Sequence, residues 1–168
     1  MSALAAPLSQ QPFASAPDPG TPRIARVPYL SPVRAEDGAA PAGAGPRVLI
    51  ADDHEDSRDA LSTLLDAYGY TVVQAANGAE ALEQARATVP DLILMDMMMP
   101  QVDGFAATRE LRADERFRTV PIIAITAMEG ARREVLEAGC NDVVVKPLDI
   151  RAFLLKVRTW VGPGRGGA

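Results

Sequence analysis

Five residues are of types that do chemistry together once a fold brings them close: Asp52, Asp53, Asp96, Thr126 and Lys146. Each stands at the end of a short apolar run. Asp52 and Asp53 follow Arg47-Val-Leu-Ile-Ala51, and Asp96 closes Leu92-Ile-Leu-Met95. Thr126 follows Pro121-Ile-Ile-Ala-Ile125, and Lys146 follows Val143-Val-Val145. Three carboxylates gathered in one pocket repel one another, and a hard divalent cation between them removes that repulsion. Mg²⁺ suits the task, because it takes oxygen ligands and keeps several waters. A carboxylate is also a nucleophile that can form an aspartyl-phosphate. Phosphoryl transfer depends mainly on positioning and charge neutralisation. Lys146 offers a point charge for phosphoryl oxygens, and Thr126 offers a short hydroxyl donor. The set is complementary to in-line attack by Asp96 on an activated phosphorus.

Each residue alone also has a plainer reading. Asp52 and Asp53 could be acids at a helix start, favoured there by the helix dipole. Asp96 could be a solvated strand-end acid, Thr126 an ordinary strand threonine, and Lys146 a lysine whose stem lies along the surface. Asp103 reads as a turn or cap residue, His54 as a solvated histidine, and Cys140 as a small buried side chain. Met95 and Met97 to Met99 read as strand and loop packing. Lys146-Pro147 is an X–Pro bond, trans by default.

The elements that must hold these residues follow from periodicity. The apolar runs read as buried strands, joined by a second, β-branched strand over Tyr70–Gln74. Between them lie helical patterns. The first carries Ala60, Leu61, Leu64, Leu65 and Tyr68 on one stripe and ends at Gly69. The second is capped by Asn77 with Glu80 three positions on, buries Ala81, Leu82 and Ala85, and stops before Pro90. A third runs from about Phe105 to Ala113 and buries Phe105 and Leu111. A short fourth runs from about Gly130 to Ala138. The last is capped by Asp149 and carries Phe153, Leu154, Val157 and Trp160. Five strand–helix alternations imply a three-layer α/β/α fold with a parallel sheet. The flavodoxin-like order 2-1-3-4-5 makes the first and third strands neighbours, which gathers the five residues at one crevice at the strands' carboxyl ends.

Composition limits the alternatives. Of 168 residues, the first 46 are rich in Ala, Pro, Gly and Ser, and three Arg there balance three acids. Such a segment buries too little to offset its ordering entropy and reads as a disordered tail; residues 162–168 read as a second tail. The net charge of −5 therefore lies beyond residue 46, with no basic cluster, which argues against direct nucleic-acid binding. The start lacks the pattern of a secretory signal, and no stretch is apolar enough to span a membrane. One cysteine excludes a disulfide within the chain. A cytoplasmic protein is expected. Ile24–Val33 is the tail's single apolar patch, a segment that could dock on the domain or a partner.

In VLIADDHEDSR, DLILMDMMMPQVDGF, PIIAITA and AGCNDVVVKP, in this order and at these spacings, residues 47–161 resemble the CheY-like receiver domain of two-component response regulators. The resemblance implies that Asp96 accepts a phosphoryl group from a histidine kinase or a histidine phosphotransfer protein. It also implies Mg²⁺ held by Asp53, Asp96 and the backbone carbonyl of Met98, with Asp52 acting through a metal-bound water. Thr126 and Lys146 would bind the phosphoryl group, and the α4-β5-α5 surface would be re-sorted for a partner protein, as a monomer or a phosphorylation-dependent dimer. The Lys146-Pro147 peptide is cis in this family. Two places depart from the pattern. Val143 stands where the family often has an aromatic residue, and Thr126–Gly139 is slightly shorter than usual. Met98, two past the acceptor, cannot hold a water by hydrogen bonding, so slow self-dephosphorylation is expected.

Other functions compete with this one. A haloacid-dehalogenase-like phosphatase would carry a second aspartate where Met98 stands, and would need a cap domain. A flavodoxin-like cofactor binder would want a Ser/Thr/Gly-rich phosphate loop where this chain has ADDHEDS. A constitutive binding module that takes no phosphate remains the alternative. With no output domain after the last helix, the chain is expected to act as a stand-alone adaptor, relay intermediate or sink, and not as an enzyme.

Overall fold

A computed structural model describes residues 45–161 of the chain. The expected tails therefore lie outside the described residues, as does the Ile24–Val33 patch, apart from Gly45 and Pro46. Those two are tied to the sheet: the Thr71 amide donates to the Pro46 carbonyl and the Thr71 hydroxyl to the Gly45 carbonyl.

The element order is β1 (Arg47–Ala51), α1 (Glu55–Ala67), β2 (Thr71–Ala75), α2 (Gly78–Thr88), β3 (Leu92–Asp96), α3 (Gly104–Ala113), β4 (Ile122–Thr126), α4 (Arg132–Ala138), β5 (Asp142–Val145) and α5 (Ile150–Val161). All strand pairs are parallel, and the sheet order is β2-β1-β3-β4-β5, as expected. β3 is buried throughout, and apolar up to Asp96, because it lies mid-sheet with helices over both faces.

Alternation along the strands sorts the core into two layers. Leu49, Ile93, Met95, Ile122 and Ala124 face α2, α3 and the start of α4, meeting Leu82, Ala85, Leu111 and Val135. Val48, Ile50, Leu92, Leu94, Ile123 and Ile125 face α1 and α5, meeting Leu61, Leu65, Phe153, Leu154 and Val157.

The helix starts follow local chemistry. Asn77 accepts from the Glu80 amide at 2.9 Å, and Glu80 reaches back to the Ala76 amide. Asp103 caps α3 through the Ala106 amide at 2.7 Å, and Asp149 accepts from the Ala152 amide at 2.8 Å.

Several expected core positions differ. Ala60 is exposed, and Ser62 takes a buried place on α1. Its hydroxyl bonds the Arg58 carbonyl and the Gln74 side chain, which makes burial tolerable. Phe105 is half-buried, and Ala107 and Thr108 lie deeper. Trp160 is 36% exposed, with its indole N–H directed to Asp142. α4 begins at Arg132, two residues later than expected, because Gly130 adopts a left-handed turn.

Arg112 was not singled out in the sequence, yet it fastens two loops to α3 through four acceptors. It donates to the carbonyls of Gly139, Phe117 and Val120 and to the Asn141 side chain. Asn141 in turn accepts from the Ile122 amide.

α2 ends at Val89 with φ 46° and ψ 74°, a left-handed conformation. For a β-branched residue this costs about 1–2 kcal/mol. Val89 is exposed and makes no core contact that would be lost. Val89→Gly is therefore expected to raise stability by about 0.5–1 kcal/mol after glycine's own entropy is counted. Urea unfolding checks this; an unchanged or lower midpoint would show that the turn carries no strain.

Candidate functional site

Because the strands are parallel, their carboxyl ends share one rim. The Asp52 amide donates to the Ala75 carbonyl and the Met97 amide to the Ile125 carbonyl, which fixes β1 and β3 at that rim. The Lys146 amide donates to the Thr126 carbonyl at 2.8 Å, so the lysine leaves β5 beside the end of β4. The Lys146-Pro147 peptide is cis.

Asp52 is fully buried. Its Oδ1 accepts from the His54 amide at 2.8 Å, and its Oδ2 accepts from Ser57 Oγ at 2.8 Å and Lys146 Nζ at 3.3 Å. Asp96 is 3% exposed. Its Oδ1 accepts from the Met98 amide at 2.9 Å and its Oδ2 from Lys146 Nζ at 3.0 Å. One ammonium thus serves two buried carboxylates. Burial works against the charge on Lys146, but the hydrogen bond it donates to Asp96 and the charges of Asp96 and Asp52 outweigh it and hold its pKa above the usual lysine value.

Asp53 differs from the other two. Its Oδ1 is shielded from solvent but has no hydrogen-bond partner. His54 Nδ1 lies 3.0 Å away without the alignment of a hydrogen bond. An anionic oxygen left this way is costly, and a cation would satisfy it. One ligand atom from each of Asp52, Asp53, His54 and Asp96 can be chosen within 4.8 Å of all the others. The donor set is mostly carboxylate oxygen, so these residues fit a hard divalent ion.

The five residues expected to act together are brought together, with one distinction. Thr126 is fully buried, and its hydroxyl accepts from the Met128 amide at 3.1 Å instead of bonding Asp96. Met98 is 57% exposed and lines an open cleft with Asp96, Lys146, Ala127, Ser57 and His54. Asp103 caps α3 and is not among the clustered ligands. Ser57 was missed, since a serine in the first turn of an amphipathic helix carries no signal of a bond back to the strand end. His54 is exposed as expected, but the position of its Nδ1 was not legible.

A doubly wound sheet with a carboxylate cluster and one lysine at its carboxyl rim defines a flavodoxin-like protein with a cation-ready acidic cleft. The chain belongs to the response regulator receiver domain family, whose profile matches residues 48–158. It is 36% identical over 117 residues to the polar-differentiation response regulator DivK of Brucella anthropi, spanning 68% of this chain and 95% of that one. The receiver domain of a Pseudomonas aeruginosa sensor histidine kinase, solved with magnesium coordinated in its active-site cleft, superposes with a TM-score of 0.66. It is 37% identical and covers 71% of this chain and 99% of its own. The Thermotoga maritima response regulator TrrA, in complex with Mg²⁺-BeF, gives a TM-score of 0.64 at 29% identity, covering 68% and 98%. The chain is thus a receiver domain of phosphorelay signalling. No helix among the described residues is long and apolar enough to cross a membrane.

Proposed function

We propose that Asp96 accepts a phosphoryl group from a phosphohistidine of a sensor histidine kinase or a histidine phosphotransfer protein, and that the modified chain binds a downstream protein. The observation that carries this reading is Asp96 itself: a nearly buried carboxylate, 3.0 Å from Lys146 Nζ, at the floor of an open cleft.

Asp96 attacks in line. A new O–P bond forms as the P–N bond to the donor imidazole breaks, and the departing nitrogen keeps the electron pair. Lys146, already between Asp52 and Asp96, neutralises phosphoryl oxygens. Thr126 gives up the Met128 amide and donates its hydroxyl to the new group. Asp53, Asp96 and the Met98 carbonyl would hold Mg²⁺, with Asp52 acting through a water. When bound, the ion supplies further charge neutralisation for the phosphoryl oxygens.

Movement of Thr126 pulls on the loop into α4 and biases the α4-β5-α5 face. Leu136, Val145, Leu155 and Trp160 on those elements leave apolar surface exposed there, which suits a protein partner or a second copy formed on phosphorylation. Val143 is buried in the core, so a swinging aromatic has no counterpart at this position. On this reading the exchange takes place in the cytoplasm, the chain is not an enzyme beyond slow self-dephosphorylation, and nucleic acid is not a direct ligand.

The test is intact-mass measurement after treatment with acetyl phosphate, with Mg²⁺ or with excess chelator. A single phosphoryl adduct that requires Mg²⁺ and persists for minutes is expected. No adduct, together with no NMR response to beryllofluoride, would overturn the reading in favour of a constitutive binding module.

A further inference from the structure

We propose that His54 is a ligand of the acidic pocket and lets it take imidazole-seeking divalent metals, Zn²⁺ and Co²⁺, as well as Mg²⁺. This rests on the reading of Asp52, Asp53 and Asp96 as a cation site.

The geometry is specific. His54 Nδ1 lies 3.0 Å from Asp53 Oδ1 and 3.5 Å from Asp52 Oδ1. The shorter contact is not a hydrogen bond, since Asp53 Oδ1 has no partner although it is shielded from water. Two donor atoms bound to one ion at about 2.1 Å stand roughly 3.0 Å apart at a right angle and roughly 3.4 Å apart at a tetrahedral angle. The 3.0 Å spacing of His54 Nδ1 and Asp53 Oδ1 matches that of two atoms that share a metal.

The histidine backbone is held for the purpose. Its amide donates to Asp52 Oδ1, and its carbonyl accepts from the Arg58 amide as α1 begins. Only the side chain, 72% exposed, has to choose its rotamer. Carboxylates alone suit Mg²⁺, Ca²⁺ and Mn²⁺, whereas an imidazole nitrogen favours Zn²⁺, Co²⁺ and related ions. Mg²⁺ leaves His54 free and fills its remaining positions with water. A borderline metal recruits the ring, so one residue beside the acid pair broadens which ions the switch accepts.

The experiment uses the untagged full chain, unaltered and as His54→Ala and His54→Asn. Binding of Mg²⁺ and of Zn²⁺ is measured by calorimetry, and imidazole nitrogen shifts by NMR. His54 is the chain's single histidine, so its signals assign themselves. Partners that merely orient a metal-binding histidine are worth about tenfold in affinity, so both variants are expected to lose at least about tenfold in Zn²⁺ affinity. Mg²⁺ affinity should stay within about twofold, since hard-ion binding does not use the ring. In the unaltered protein, Zn²⁺ should shift Nδ1 as direct coordination does. Equal Zn²⁺ affinity in all three proteins with an unmoved Nδ1, while Mg²⁺ still binds, would overturn the role of His54 and leave the pocket reading intact. Failure of all three to bind either ion would overturn both.

Discussion

Asp96→Asn is expected to take up no phosphoryl group under conditions that modify the unaltered protein, yet to stay within about 1 kcal/mol of its stability. The first half follows from chemistry, because an amide is no nucleophile toward phosphorus at neutral pH. The second half follows from the bonds around Asp96. One oxygen accepts from the Met98 amide, which the asparagine carbonyl reproduces. The other accepts from Lys146 Nζ, and there the variant presents an NH₂ instead. That loss is offset in part, since Lys146 retains Asp52 and the mutual repulsion of three carboxylates falls to that of two. Intact mass and urea unfolding read the two halves separately. A Mg²⁺-dependent adduct on Asp96→Asn would move the acceptor to Asp52 or Asp53, and an unfolded variant would leave the adduct result without meaning for the acceptor.

Gly104→Ala should lose about 3 kcal/mol, near the upper end of the usual cost of overpacking. A methyl built on Gly104 would overlap the Asp96 carbonyl oxygen and come within 2.7 Å of Met97 Cα and 3.0 Å of the Asp96 carbonyl carbon. All three are backbone atoms, so no side chain can turn aside. Gly104 also closes the loop after β3, its backbone N–H donating a hydrogen bond to the Met97 carbonyl. Relief of the clash requires the segment that holds Asp96 to shift, so acetyl phosphate should also label the folded variant more slowly. Stability within about 0.5 kcal/mol of the unaltered protein would show that the turn is looser than its packing implies.

The residues carrying this argument were legible for a physical reason. In a parallel sheet covered on both faces, strands are uninterrupted apolar runs, and the polar residue that ends each run marks the rim. Asp52, Asp53, Asp96, Thr126 and Lys146 are such residues. What escaped were side chains whose role depends on a neighbour distant in sequence. Ser62 is polar but buried, because Gln74 on β2 completes its bonding. Trp160 looked like core by spacing, yet Asp142 on β5 gives its N–H a partner near the surface. Arg112 has no local signature, since its acceptors are carbonyls of segments that meet only after folding. Ser57 was invisible as a site member because nothing in an amphipathic pattern reports what a helix's first turn leans against; His54 was seen beside the acids and read as solvated.

The strand order also governs the sequence of events at the ribosome. β1 is flanked by β2 and β3, and its Val48 stands opposite both Val72 and Leu92. When α1 and β2 have left the exit tunnel, the described residues that have emerged form a two-stranded parallel piece, with the β3-facing edge of β1 not yet covered. Long-range parallel pairing is intrinsically slow, and unpaired edges invite association. That edge stays open to capture by other chains between emergence of Ala75 and emergence of Asp96 from the tunnel. β3 covers that edge of β1 but brings a bare edge of its own that waits for β4, and the rim is complete only when β4 and β5 set Thr126 and Lys146 beside Asp96.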